Sequence, residues 1–149
     1  MFVTLHVAKK LRGCIGVIEG LTNLGETLAT CAADAALHDP RFSRMRPEEM
    51  DALEIEVSLL CPLHPILPEE VEIGVHGLLV EQGTRRGLLL PQVAVEHRLS
   101  RERFLAETCT KAGLPREAWK EPETKLYGFE CEILAEAHGP VVQKRSPRQ

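Results

Sequence analysis

Hydrophobic and polar residues alternate from the start of the chain. Val3, Leu5 and Val7 fall on one side of an extended Phe2–Val7 segment, and Thr4 and His6 fall on the other. That period of two is the mark of a strand with one buried face. Ala8-Lys9-Lys10 turns the chain, and Cys14 to Glu19 reads as a short strand returning beside the first. The period then lengthens: Leu24, Leu28, Cys31, Ala32 and Ala35 form a helical stripe, and its many alanines would let it lie close to a sheet. Asn23 with Glu26 gives a start signal of capping-box type, and the helix should reach about Leu37. Asp39-Pro40 stops it, because a residue before proline avoids helical backbone angles.

Pro47 to Asp51 reads as one helical turn. Glu54 to Cys61 alternates again, with Ile55, Val57, Leu59 and Cys61 on the apolar face and Glu54, Glu56 and Ser58 on the polar one. Pro62, Pro65 and Pro68 mark an irregular loop. Gly77 to Leu90 has the form of a hairpin with Gln82-Gly83-Thr84 at its tip, and Pro91 ends its second strand. Ser100 caps a helix that runs to about Lys111 with Gly113 just past its end, and Phe104, Leu105, Thr108, Cys109 and Ala112 form its inner stripe. Tyr127, Phe129, Cys131 and Ile133 alternate along a last strand, and Val141 to Gln149 is a polar, basic tail expected to fray. Strands joined by hairpins, with helices between them, predict an α+β domain on an antiparallel sheet flanked by helices. A doubly wound α/β fold is the weaker alternative, since regular strand–helix alternation is missing. With no repeat and no linker, residues 1–149 read as one domain.

Composition narrows the function. The 149 residues are 44% hydrophobic and 27% charged, with net charge −4, a balance expected of a soluble globular chain. The acidic balance and an aromatic content of 4% argue against nucleic-acid or anionic-membrane partners. No stretch approaches membrane-spanning length, and the first residues lack the pattern of a signal peptide, so the expected compartment is the cytoplasm. Five cysteines, an odd number with no Cys-x-x-Cys spacing, support neither a disulfide framework nor a structural zinc site.

The cysteines divide by context. Cys31 and Cys109 lie on the apolar stripes of helices, and Cys61 and Cys131 on the apolar faces of strands, where a thiol acts as a small hydrophobe. Cys14 differs. It sits in Leu11-Arg12-Gly13-Cys14-Ile15-Gly16, framed by glycines and two residues from an arginine. In a turn, successive N–H groups there would form an anion-binding nest, and such donors beside a cation favour the reactive thiolate. Equally, a small residue fits where two backbones crowd.

His38-Asp39-Pro40-Arg41-Phe42 is a second candidate. Asp39 could orient a neighbouring histidine or arginine and Arg41 could pair with a carboxylate or phosphate, or the segment is an ordinary helix stop. His76, before the hairpin, is a candidate base for a Cys–His pair, with Gln92 and Lys111 as weaker candidates. Cys14, His38 and His76 have no local ligand spacing, so no metal site is predicted.

Taken together, Phe2-Val3-Thr4-Leu5 and the Leu11–Gly16 string resemble the AMMECR family. The likeness continues through Asp39-Pro40-Arg41-Phe42, Leu53-Glu54-Ile55-Glu56-Val57-Ser58, Glu72-Ile73-Gly74-Val75-His76-Gly77-Leu78, Gly87-Leu88-Leu89-Leu90-Pro91-Gln92-Val93-Ala94 and Lys111-Ala112-Gly113-Leu114. Trp119 and the last strand also fit, so the likeness covers nearly the whole chain. It implies an α+β fold with a larger and a smaller lobe, both termini in the larger, in a cytosolic bacterial or archaeal protein. It also implies Memo-like or radical-SAM proteins as partners, and it leaves reaction and cofactor unassigned. Carried onto this chain, the signature singles out Arg12, Gly13, Cys14 and Gly16, accompanied by Asp39, Arg41, His76 and Gln92. Relatives usually carry a helical segment before the strand that here starts at Phe2. Without its cover the sheet would expose apolar surface and the protein would associate with itself.

Two functions follow as expectations. One is an enzyme with Cys14 as nucleophile, His76 or His38 as base, Asp39 as orienter, and Arg12 and Arg41 holding an anionic substrate in a turn shaped by Gly13 and Gly16, with Gln92 as a further ligand contact. The other is a non-catalytic module in which the same segment recognises a small anion or a partner protein.

Overall fold

The alternation at the N-terminus is realised as a strand that buries Val3 and Leu5. The computed structural model describes residues 1–19 and 23–136. Its elements run β1 (Phe2–Val7), β2 (Lys10–Gly16), α1 (Leu24–Leu37), β3 (Leu53–Leu60), β4 (His64–Pro65), β5 (Gly77–Gln82), β6 (Arg85–Leu89), α2 (Pro91–Glu96), α3 (Arg101–Lys111), β7 (Lys125–Phe129) and β8 (Cys131–Ala135). Short 3-10 turns occur at Pro47–Ala52, Pro68–Glu70 and Ala118–Lys120. The chain forms two compact units, Met1–Leu59 with the chain from Glu132, and Leu60–Cys131. Each has a four-stranded antiparallel sheet, where the sequence pattern alone suggested one. No helix among the described residues is long and apolar enough to cross a membrane. The basic tail from Val141 lies outside the described residues.

In the first unit the strand order is β2-β1-β3-β8. β2 begins four residues before the expected Cys14. The cause is the turn: Ala8 at φ 51° and Lys9 at φ 65° close a two-residue hairpin loop directly onto Lys10. Such loops need left-handed backbone, which glycine and asparagine adopt at less cost than alanine or lysine. α1 starts as predicted, with the Asn23 side chain accepting the Glu26 N–H at 2.9 Å. Its buried line, however, is Thr27, Cys31 and Ala35, while Leu24 is 61% exposed. Small residues on that line let the helix settle onto the sheet. A methyl group on Gly13 would lie 2.0 Å from the Ala35 carbonyl oxygen, so helix and strand meet backbone to backbone. Val3, Leu5, Cys31 and Ala35 form the core of this unit, with Ile15, Leu28, Ile55 and Val57 packed on it. Burying Val3 and Leu5 removes enough apolar surface to stabilise the unit by about 2 kcal/mol each. Ser58, expected on the polar face of β3, is fully buried.

In the second unit the order is β4-β7-β5-β6. The β5–β6 hairpin turns through Gly83, at φ 60°, and Thr84. Pro91, read as a strand stop, opens α2, because proline's fixed φ and missing N–H suit the first helical position. The helix closes with Leu99 N–H on Ala94 O at 2.8 Å and Arg98 N–H on Val95 O at 3.1 Å. In this Schellman pattern Arg98, at φ 50°, takes the position usual for glycine. α3 follows the prediction: Ser100 accepts the Arg103 N–H, Gly113 is at φ 72°, and Phe104, Leu105, Thr108 and Cys109 are buried. The buried Thr108 hydroxyl donates to Phe104 O at 2.8 Å. Where α3 ends, a methyl group on Gly87 would lie 2.3 Å from Ala112 N, repeating the close seating seen at Gly13.

The last strand is divided. It breaks at Glu130 into β7 and β8, one in each sheet. Cys61 likewise falls past the end of β3 and is exposed, not on an apolar strand face as expected. Its N–H donates to Glu130 O at 2.8 Å. Burial, and secondarily the neighbouring Cys61, pushes the Cys131 thiol up to about 12.

Candidate functional site

Cys14 lies inside β2, not in a turn. It pairs across to Thr4, whose Oγ1 is 3.3 Å from the Cys14 Sγ. The expected nest of inward N–H groups therefore does not form. Instead the Cys14 N–H donates to the Asp39 carboxylate, at 2.9 Å from Oδ2. The flanking glycines serve packing: Gly13 seats α1, and a methyl group on Gly16 would lie 2.4 Å from both Met1 O and the Phe2 ring.

Asp39 is held by the turn that ends α1. Phe42 N–H closes onto Asp39 O at 3.1 Å with Pro40 at the second position, where its fixed φ belongs. The buried carboxylate accepts the Arg41 N–H at 3.0 Å, Arg41 Nε at 3.1 Å and Arg41 Nη2 at 2.8 Å, besides Cys14 N–H. The Arg41 guanidinium chiefly, with the Cys14 and Arg41 N–H groups, holds this carboxyl far below the usual range against the opposing effect of burial. Asp39 in turn raises the Arg41 guanidinium. Arg41 is thus oriented by the fork geometry that suits a carboxylate. It also stacks 5.4 Å from the Phe42 ring centroid and stays 56% exposed. Its Nη1 has no partner among the described residues.

Arg12 is engaged within the chain. Its Nε and Nη2 donate to Glu49 at 2.7 and 3.1 Å, Nη1 to Ser43 O at 2.9 Å, and Nη2 to Arg44 O at 3.3 Å. Glu49 is thus a carboxylate partner from within the chain. Arg12, helped by the Arg46 N–H, lowers the Glu49 carboxyl to about 2. Arg12 therefore clamps the Ser43–Glu49 segment to β2. This arrangement borders a groove of about 650 Å3 lined by Arg12, Phe42, Ser43, Arg44, Arg46 and Glu49. Arg12 and Glu49 neutralise one another, whereas Arg44 and Arg46 form no ion pair with any described residue. Sequence reasoning passed over these two arginines. Their signal was the run Arg41, Arg44 and Arg46 in one loop after a helix stop.

The remaining candidates lie elsewhere. His38 is exposed, with Nδ1 2.8 Å from Asp34 Oδ1 one helical turn back. His76 and Gln92 belong to the second unit. His76 Nδ1 accepts the Glu72 N–H at 3.0 Å, and the ring meets His64 edge-on at 6.1 Å. Gln92 sits in the first turn of α2. Among the described residues no three His, Cys, Asp or Glu side chains gather to hold a metal ion.

Two antiparallel-sheet units, the Cys14–Asp39–Arg41 junction and the clamped arginine loop define an α+β protein with a groove lined by three arginines and Glu49. The AMMECR1 family model matches residues 1–134, and the chain belongs to that family. It is 46% identical over 143 residues to a protein of Methanothermobacter thermautotrophicus, covering 91% of this chain and 74% of that one. It is also 46% identical over 157 residues to a protein of Thermococcus gammatolerans, covering 97% and 77%. The crystal structure of the uncharacterised protein PH0010 from Pyrococcus horikoshii superposes with a TM-score of 0.89 at 44% identity, over 96% of this chain and 77% of that one.

Proposed function

We propose that the first unit is a small-anion recognition module, with the Arg41–Arg46 loop as its contact surface. What carries the reading is Arg12: it spends its donors on Glu49 and on the Ser43 and Arg44 carbonyls, so it fixes the loop while the Arg44 and Arg46 side chains form no hydrogen bond or ion pair among the described residues. In a chain of net charge −4, two guanidinium groups that form no close ion pair, beside one groove, focus attraction for a phosphate or carboxylate, although the Arg46 charge is partly shared with Glu49. Arg41, oriented by Asp39 and with Nη1 free, adds a third planar donor next to the Phe42 wall. A pyrophosphate titration followed by amide NMR should move the resonances of residues 39–46. Arg44→Gln with Arg46→Gln should weaken the effect at least tenfold. Shifts spread evenly over the surface, or unchanged binding in the double variant, would sink the proposal.

A second reading keeps Cys14 as a nucleophile, favoured by its junction with Arg41, whose Nη2 lies 3.5 Å from the Cys14 carbonyl oxygen. Among the described residues of this unit, the hydrogen bond to the thiol comes from the Thr4 hydroxyl and not from an imidazole. Cys14→Ser separates the two: retained pyrophosphate binding supports recognition, and its loss with the fold intact supports chemistry at sulfur.

A further inference from the structure

A second groove lies wholly within the other unit. It has a volume of about 670 Å3, within the range of small-molecule sites. Leu89 at the end of β6, Val93 in α2 and Leu99 after it supply its apolar surface, and all three pack on the core cluster around Phe104 and Leu78. The Schellman closure of α2, with Arg98 in left-handed backbone, fixes Leu99 there.

The polar wall comes mainly from one face of α3. Arg103, Glu107, Thr110 and Lys111 follow the spacing i, i+4, i+7 and i+8, opposite the residues that face the core. His97 completes the lining. The charges are unequally satisfied. Glu107 is paired with Arg116 at 2.8 Å, which neutralises the one acidic group in the wall. Neither the Arg103 guanidinium nor Lys111 Nζ has a partner among the described residues. An apolar strip flanked by two uncompensated cations matches an amphiphile with an aliphatic body and an anionic head. Lys111 also complements the end of the α3 dipole, which requires no ligand, but Arg103 in the first turn opposes that dipole and has no such reason to be there.

We infer that this groove binds a medium-chain aliphatic carboxylate, with Leu89, Val93 and Leu99 against the chain and Arg103 or Lys111 on the carboxylate. The inference does not rest on the arginine loop of the first unit. The test uses the full chain and sodium octanoate, with acetate and octanol as partial mimics, read by calorimetry and amide NMR. Octanoate should bind with shifts at residues 89–111, acetate should not bind measurably, and octanol should bind at least fivefold more weakly. Arg103→Gln with Lys111→Gln, both exposed and remote from the core, should weaken octanoate at least tenfold while the thermal midpoint is kept. Leu99→Ser should weaken octanoate and octanol alike. Equal binding of octanol and octanoate, unchanged affinity in the charge-free variant, or octanoate shifts outside residues 89–111 would overturn the assignment.

Discussion

The Asp39 carboxylate accepts the main-chain N–H of Cys14 at 2.9 Å, so the stop signal of α1 is tied to the middle of β2. The tie makes part of the stability depend on pH. Asp39 is held far below the value of about 3.9 expected in the unfolded chain. A depressed carboxyl contributes fully above the unfolded value and loses its contribution as pH falls through the folded one. Glu49, at about 2, acts in the same direction. Urea midpoints should therefore fall between about pH 5 and pH 2. Asp39→Asn should flatten that slope and cost about 2 kcal/mol at neutral pH, since hydrogen bonds to a charged acceptor are lost. An unaltered slope in this variant would contradict the role given to Asp39.

Arg12 and Glu49 should behave as one unit. Arg12→Met and Glu49→Gln are each expected to lower the thermal midpoint, and the double variant to fall by less than their sum, because each single change already breaks the clamp. Additive midpoints would mean that the two side chains act independently.

The glycine seats predict a sharp contrast. Gly13→Ala and Gly87→Ala each push a methyl group into backbone and should cost about 3 kcal/mol in chemical denaturation. Gly83→Ala meets no atom within 4 Å and strains only φ, for about 1 kcal/mol. Similar costs at all three positions would count against the close approach of helices to strands.

The β1–β2 turn is a place to gain stability. Ala8→Asn with Lys9→Gly supplies residues that accept left-handed backbone, and should stabilise by about 1 kcal/mol. The Lys9–Glu54 pair that is given up is exposed and worth little. A lower thermal midpoint would show that the ion pair matters more than the turn.

Among Cys31, Cys61, Cys109 and Cys131, native thiol labelling should rank Cys61 first. It is exposed, Cys31 and Cys109 are buried, and burial raises both of the latter. Cys131, near 12, has almost no thiolate at neutral pH and should also lag. Mass spectrometry of iodoacetamide-treated protein checks the order, and slow labelling at Cys61 would refute it.

Much of the fold was legible because local signals and packing agreed. Asn23, Ser100 and Gly113 cap helices as their chemistry dictates, and Val3, Leu5, Phe104 and Phe129 bury on the faces their spacing predicts. What escaped depended on partners distant in sequence or on unusual backbone. Nothing in Ala8-Lys9 signals left-handed conformation, so the start of β2 and the setting of Cys14 were misread. Pro91 carries the same letter whether it ends a strand or opens a helix. The Arg12–Glu49 pair was not legible because its two members lie 37 positions apart. Cys14, Asp39 and Arg41, which the family signature sets apart, do meet in space, but nothing in the signature shows that Gly13 and Gly16 sit where a methyl group would clash.

Gly13 beneath Ala35 and Gly87 beneath Ala112 set each helix at the shortest spacing that two main chains allow. At these two points no side chain fits between helix and strand, so each helix is pinned by a residue that cannot grow. The long side chains of the loop after α1 and of the outer face of α3 carry no such constraint. They can change while the scaffold beneath them stays fixed.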